Sequence, residues 1–189
     1  MKRQSGFTLL EMIYCITIIA ILAAILYPAF RSAKHSAQIQ ASLSNLHHMH
    51  VALMLYQGNQ GNPGHYGSLA SMGLPSDAIQ ATAAVIPSGL EKSPCGNIPE
   101  WSHSDVAPQV QYEYFIVTSA GAKPEQDLVK YQENTVMFTD MNCADRGVNL
   151  MSSYFKHRGL GVQLSGALLN LNRSGPYHLQ SWWTKPPVN

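Results

Sequence analysis

Two small groups of residues in this chain have side chains that commonly bind metal ions. His47, His48 and His50 are close in sequence, and His47 and His50 fall on the same side of a helix. Zinc needs further ligands, and no acidic residue or cysteine occurs between Arg31 and Gly58. These histidines are therefore interpreted as packing or subunit-contact residues, and no metal or cofactor is predicted there.

The second group is Asp140, Asn142 and Asp145, which resembles part of a calcium-binding loop. The next alternating ligand position holds Ala144, and the glycine comes late, at Gly147. This register does not fit an EF-hand, so a calcium site is not predicted. The sequence also contains no nucleophile-elbow pattern and no His-Glu-x-x-His motif. The chain is therefore predicted not to be an enzyme.

The three cysteines are too far apart in sequence for a zinc ribbon. Cys15 falls in an apolar run and is interpreted as a small packing residue. Cys95 and Cys143 lie in the polar part of the chain, where an oxidising compartment would permit a disulfide between them. Two free thiols are the alternative interpretation for this pair.

The N-terminal segment predicts a helix that inserts into a membrane. Residues 7–30 contain a single charge, Glu11, and a helix of this length covers about 36 Å, enough to cross a hydrocarbon core of about 30 Å. Lys2 and Arg3 precede the apolar run and favour a cytoplasmic N-terminus, although Arg31 and Lys34 follow it. Glu11 does not fit a plain anchor, because a carboxylate in a membrane span normally has a partner.

The residues Gly6-Phe7-Thr8-Leu9-Leu10-Glu11, with a basic leader before them and a long apolar run after them, resemble the processing site of type IV prepilins and type II secretion pseudopilins. The resemblance implies that a prepilin peptidase cuts after Gly6 and methylates Phe7. It also implies that Glu11 docks the subunit into a filament, where an N-terminal amine would neutralise it. Pro28 matches the proline that bends the helix in this family.

The apolar pattern after Pro28 changes to one face of a helix. The repeating positions are Ile39, Leu43, Leu46, His50 and Leu53, widened by Met49 and Tyr56. A cluster of helix breakers begins at Gly58 and predicts the end of the helix there. A short helical turn is predicted within residues 67–75.

Strands are predicted at residues 110–117 and 135–139, followed by a hairpin of residues 161–164 and 167–171 with a two-residue Ser165-Gly166 turn. The predicted fold is α+β and pilin-like, with the long helix packed against a small antiparallel sheet. Its segments are a leader (1–6), a transmembrane and filament-core helix (7–30), an amphipathic continuation (31–57) and a soluble extracytoplasmic head (58–189).

The composition agrees with a structural subunit. Only 12 % of residues are charged, 46 % are hydrophobic, and the net charge of +1 argues against nucleic acid as a partner. The expected partners are other pilin-like subunits, the prepilin peptidase and an inner-membrane assembly platform. The predicted function is a type II secretion-like pseudopilin in the bacterial inner membrane. A type IV pilus subunit is the alternative, and a signal-anchored periplasmic ligand-binding protein is the alternative from another class.

Overall fold

The computed structural model describes residues 8–60, 70–74, 85–86, 88–90, 92–96, 113–114, 124–143, 156–175 and 180–184. The chain divides into two compact units, Met1–Ala37 and Gln38–Asn189. The first unit holds the beginning of a long helix, and the second holds the rest of that helix together with a β-sheet. The α+β class predicted from the sequence is confirmed.

Helix α1 spans Leu9–Gln60 and contains 52 residues, with Pro28 inside it. Every large apolar side chain from Leu9 to Phe30 is exposed, from 46 % for Ile13 to 78 % for Leu9. The helix is long and apolar enough to cross a membrane, in agreement with the prediction for residues 7–30. Pro28 does not end the helix, and the bend predicted at this residue stays a prediction.

One side of α1 is buried within the second unit. The buried residues recur every three or four positions, as expected for one helix face. They are Ile39, Ser42, Leu46, Met49, Leu53 and Gln57. The predicted positions Leu43, His50 and Tyr56 are half-buried at the margins of this face, so the predicted apolar stripe is close to the observed one.

Helix α1 ends at Gln60, so the end predicted at Gly58 is two residues too early. A glycine inside a helix costs about 1 kcal/mol relative to alanine, which is too little to stop a helix that packs well. Leu53 and Gln57 are buried in the last turns. This packing holds the helical conformation beyond the glycine.

Among the described residues, four antiparallel strands form one sheet in the order β1-β2-β3-β4. They are Glu113–Tyr114, Val136–Asp140, Lys156–Gln163 and Leu168–Ser174. Of the strand predicted at 110–117, only β1 belongs to the described residues. The strand predicted at 135–139 corresponds to β2, and the predicted hairpin corresponds to β3 and β4, with β3 beginning five residues earlier than expected.

The β3–β4 hairpin closes with a three-residue loop, Leu164, Ser165 and Gly166, so the predicted two-residue turn is wrong. The Gly166 N–H donates to the Gln163 carbonyl at 2.9 Å, and the Gln163 N–H donates to the Ala167 carbonyl at 2.9 Å. Gly166 has a φ of 84°, the left-handed conformation that ends a loop of this kind. Gly166 therefore occupies the third and last position of the loop.

Several short helical segments accompany the sheet in the part of the chain that the structure describes. Helix α2 is Pro124–Tyr131 and continues into a 3-10 turn at Gln132–Asn134, and helix α3 is Gln180–Thr184. A 3-10 turn at Ala70–Met72 lies within the segment where a helical turn is predicted. Neither α2 nor α3 is among the predicted elements.

A bulge in β2 changes which side chains face α1. The register with β3 shifts between Val136 and Phe138. Strict alternation would put Val136, Phe138 and Asp140 on one face, but the bulge turns the later residues to the other side. Met137 and Phe138 consequently both belong to the core shared with α1. Val136 belongs to a second buried cluster, on the other face of the sheet. Asp140 faces α1 for the same reason, since it contacts Ser42.

Two tryptophans from α3 cover the other face of the sheet. Trp182 lies edge-on to Trp183, with ring centroids 4.7 Å apart, and stacks on the buried ring of His157 at 5.2 Å. A Cβ at Gly159 would lie 2.7 Å from Cη2 of Trp183, and one at Gly161 would lie 3.0 Å from Cζ3 of the same ring. The two glycines of β3 therefore make room for the indole rings.

Candidate assembly site and buried carboxylate network

The first turn of α1 is closed by reciprocal hydrogen bonds between Thr8 and Glu11. The Thr8 backbone N–H donates to Glu11 Oε2 at 2.9 Å, and the Thr8 hydroxyl donates to the same oxygen at 2.8 Å. The Glu11 N–H donates back to Thr8 Oγ1 at 3.3 Å. This arrangement is a capping box, and the Thr-x-x-Glu pattern before an apolar run is its sequence signature. The capping role of Glu11 was readable from the sequence but is absent from the prediction made for this residue.

The hydrogen bonds of Glu11 to the described residues use only one of its two carboxylate oxygens. Within the part of the chain that the structure describes, Glu11 Oε1 accepts no hydrogen bond and no cationic side chain forms an ion pair with Glu11. Gly6 and Phe7, the predicted processing residues, lie outside the described residues. The predicted pairing of Glu11 with an N-terminal amine therefore stays a prediction.

A second polar site lies where β2 ends against α1. Both oxygens of the buried Asp140 carboxylate accept hydrogen bonds from three segments of the chain. The hydroxyls of Ser42 and Ser93 donate to Oδ2, the latter at 2.7 Å. The backbone and side-chain amides of Asn142 donate to Oδ1 at 2.9 and 3.0 Å. A single carboxylate thus joins α1, the segment 92–96 and the turn after β2.

Burial raises the pKa of the Asp140 carboxyl above its ordinary value. The hydrogen bonds from Ser42, Ser93 and Asn142 act in the opposite direction, because they stabilise the ionised form. Four donors already occupy the oxygens that a calcium ion would need, and Asp145 lies outside the described residues. Asp140 therefore has a structural role, because its hydrogen bonds link separate segments of the fold.

Cys95 and Cys143 form a disulfide, with a Cα–Cα distance of 5.1 Å and a sequence separation of 48 residues. The sequence left open whether these two cysteines form a disulfide or remain free thiols, and the structure contains the disulfide. Together with Asp140 they are the one group of three potential metal ligands found among the described residues. Both sulfurs are used in the disulfide, so the group offers no thiolate to a metal. Cys15 is free and exposed in α1.

The histidines of α1 differ in their surroundings, and among the described residues they are not grouped with further potential metal ligands. His50 makes a hydrogen bond through Nε2 to the Leu164 carbonyl at 2.9 Å and contacts the hairpin loop at Gly166. His47 stacks on His50 with centroids 6.5 Å apart, and His48 is exposed. His50 is therefore a packing residue between α1 and the hairpin, as one of the two interpretations from the sequence proposed.

Comparisons with known proteins add information at the N-terminus. Residues 1–27 match the family model described as the prokaryotic N-terminal methylation motif. The comparison with curated proteins found no match, and the comparison with solved structures found none either. The matched motif and the long apolar helix fit a protein anchored in the inner membrane. The resemblance predicted from Gly6 to Glu11 is thereby confirmed: the chain carries over residues 1–27 the cleavage and methylation signature of prepilins.

Proposed function

We propose that this protein is a structural subunit of a pilus-like filament, cleaved between Gly6 and Phe7 and assembled through α1. In this proposal the peptidase that recognises the leader also methylates Phe7. The chain has no catalytic role, and its partners are other pilin-like subunits and an inner-membrane assembly platform. The head lies outside the cytoplasm while the N-terminal part of α1 is held in the membrane or the filament core.

The observation that carries the proposal is the state of Glu11. It is the single charge in an apolar segment whose large side chains are all exposed. Its Oε2 caps its own helix, and its Oε1 has no hydrogen-bond donor among the described residues. Cleavage after Gly6 would leave the capping amide of Thr8 in place and would create a new amine at Phe7. One carboxylate could then cap its own helix and pair with the amine of a neighbouring subunit.

A pair of substitutions at Glu11 separates these two roles. Glu11→Gln keeps a side-chain oxygen that can accept from Thr8, as in other capping boxes, but removes the charge. Glu11→Ala removes both. If the charge docks the subunit, both variants insert into the membrane and are processed, but neither forms cross-linked oligomers or filaments that shearing releases. Normal assembly of Glu11→Gln would reduce the role of Glu11 to helix capping and refute the docking role.

A type II secretion-like pseudopilus is the favoured machine, with a type IV pilus as the second candidate. This preference rests on a resemblance of the Leu43-Ser44-Asn45-Leu46 segment of α1 and of the C-terminal hairpin to the same regions of pseudopilins. The net charge of the head is also small, since residues 58–189 contain 8 basic and 10 acidic residues. Deleting the gene should block release of secreted enzymes while leaving twitching and DNA uptake intact. The reverse pattern would assign the subunit to a pilus.

The remaining alternative is a signal-anchored periplasmic protein whose head binds a ligand. That function would leave the methylation signature without a role and would limit Glu11 to capping its own helix. It predicts that Glu11→Ala has no effect on any assembly and that the chain keeps its leader. The Glu11 variants therefore separate this alternative as well.

A further inference from the structure

A short segment of the head, residues 92–96, contacts both α1 and the end of β2. The Ser93 hydroxyl donates to Asp140 Oδ2 at 2.7 Å. The Pro94 carbonyl accepts a hydrogen bond from Nε2 of Gln38 at 2.9 Å. Cys95 follows directly and forms the disulfide with Cys143. Three consecutive residues therefore contact the helix, the carboxylate and the turn after β2.

The same carboxylate holds the first buried turns of α1. Ser42 is fully buried and donates to Asp140 Oδ2, the oxygen that also accepts from Ser93. Ser42 lies one helical turn after Gln38, on the same side of α1. Both α1 residues thus depend on the position of segment 92–96, Gln38 directly and Ser42 through the shared oxygen of Asp140.

The disulfide holds this segment in place. Cys143 lies three residues after Asp140, and its Sγ is 3.7 Å from Asp140 Oδ2. Without the covalent bond, segment 92–96 is held by the packing of Cys95 against the core and by hydrogen bonds to the carboxylate and the helix, and these hydrogen bonds can exchange with water. Opening the segment would admit water to a carboxylate that is otherwise buried, so Gln38 would lose its hydrogen-bond partner and the Ser42–Asp140 hydrogen bond would become accessible to water.

We propose that closure of the Cys95–Cys143 disulfide is a redox latch that fixes residues 38–46 of α1 on the head. The two thiols give up two protons and two electrons as the S–S bond forms. A disulfide-bearing oxidant of the extracytoplasmic compartment accepts them and becomes a dithiol. In a reducing compartment the chain would keep its β-sheet. Residues 38–46 of α1 would no longer be held firmly against the head. The latch uses the extracytoplasmic head of the proposed function, but its test does not involve filament assembly.

Hydrogen–deuterium exchange of the full chain in detergent micelles tests this latch. The samples are the oxidised wild type, the double variant Cys95→Ser/Cys143→Ser and the single variant Ser93→Ala with its disulfide intact. Peptides covering residues 38–46 should exchange about tenfold faster in both variants, the factor expected for losing one buried hydrogen bond. Peptides of the hairpin 156–174 should keep the wild-type rate.

Arg158→Ala is the matched control, since it removes an exposed hydrogen bond to Asn170 within the hairpin and leaves the latch intact. It should not change exchange at residues 38–46. Unchanged exchange of these residues in the double variant would overturn the proposal. Equal acceleration in the hairpin would also overturn it, because the disulfide would then be a general staple of the head. Normal exchange in Ser93→Ala would show that the coupling does not pass through Asp140, and this too contradicts the latch.

Discussion

Replacing Gly159 by alanine tests how the tryptophans of α3 pack on the sheet. The added Cβ would lie 2.7 Å from Cη2 of Trp183 and 3.1 Å from both Cη2 of Trp182 and Sδ of Met141. The indole rings cannot retreat freely, because Trp182 is also stacked on His157. The methyl group therefore has to displace rigid neighbours.

The expected loss of stability follows from two opposing contributions. Overpacking a close-packed core costs about 1–3 kcal/mol. Alanine also restricts the unfolded chain, and this offsets about 0.4–1 kcal/mol when the backbone conformation suits both residues. We expect Gly159→Ala to lower the free energy of unfolding by about 1–2 kcal/mol.

Gly58→Ala is the matched control, because it is the same substitution at a site with different surroundings. No atom of the described residues lies within 4 Å of a Cβ at Gly58, which is inside α1. Alanine there should stabilise the helix by about 0.5–1 kcal/mol. The two variants should therefore differ by about 1.5–3 kcal/mol in opposite directions from the wild type.

Urea unfolding of the full chain in detergent micelles, followed by near-UV circular dichroism and tryptophan fluorescence, measures this difference. Gly159→Ala should shift the midpoint to lower urea and Gly58→Ala to higher urea. A Gly159→Ala midpoint at or above that of the wild type would refute the packing of α3 on β3. If both variants lost stability, the space around each added Cβ would not explain the effects of the substitutions.

Two further predictions concern side chains that connect α1 to the sheet. His50→Ala should lower the free energy of unfolding by about 1 kcal/mol, since it removes the hydrogen bond to the Leu164 carbonyl, whereas alanine at the exposed His48 should leave the urea midpoint unchanged. Because burial raises the pKa of Asp140, the carboxyl group binds its proton more tightly in the folded chain than in the unfolded chain. The resulting stabilisation is complete below a pH of about 4 and is lost as the pH rises through the raised pKa. The urea midpoint of the wild type should accordingly fall relative to that of Asp140→Asn as the pH is raised over this range, and a pH-independent difference would contradict the assigned burial.

The helix and the sheet were predictable because their patterns are local. The apolar run of α1 reveals the membrane segment, and the seven-residue spacing of Ile39, Leu46 and Leu53 reveals the buried face. The β-branched and aromatic residues of β2 and the glycine of the hairpin loop reveal the strands and their connection. The end of α1 was misplaced because packing of the last turns outweighs the low helix propensity of Gly58.

The buried polar network could not be predicted, since it depends on distant contacts. Ser42 and Ser93 are ordinary polar residues in the sequence, and only the bulge in β2 turns Asp140 toward them. The pairing of Gly159 with Trp183 likewise joins residues that are far apart in sequence. Cysteine spacing alone also left the Cys95–Cys143 pair open, because a disulfide needs a Cα–Cα distance that the sequence does not contain.

The mass of the mature N-terminus tests the central claim most directly. The full-length gene is expressed in cells with an active prepilin peptidase, and the membrane-extracted chain is analysed by intact-mass and N-terminal peptide mass spectrometry. Cells without the peptidase provide the control and should yield the chain with its leader. A filament subunit predicts a chain that begins at Phe7 with a methylated amine. An unmodified chain that begins at Met1 in the cells with active peptidase would contradict the proposed function.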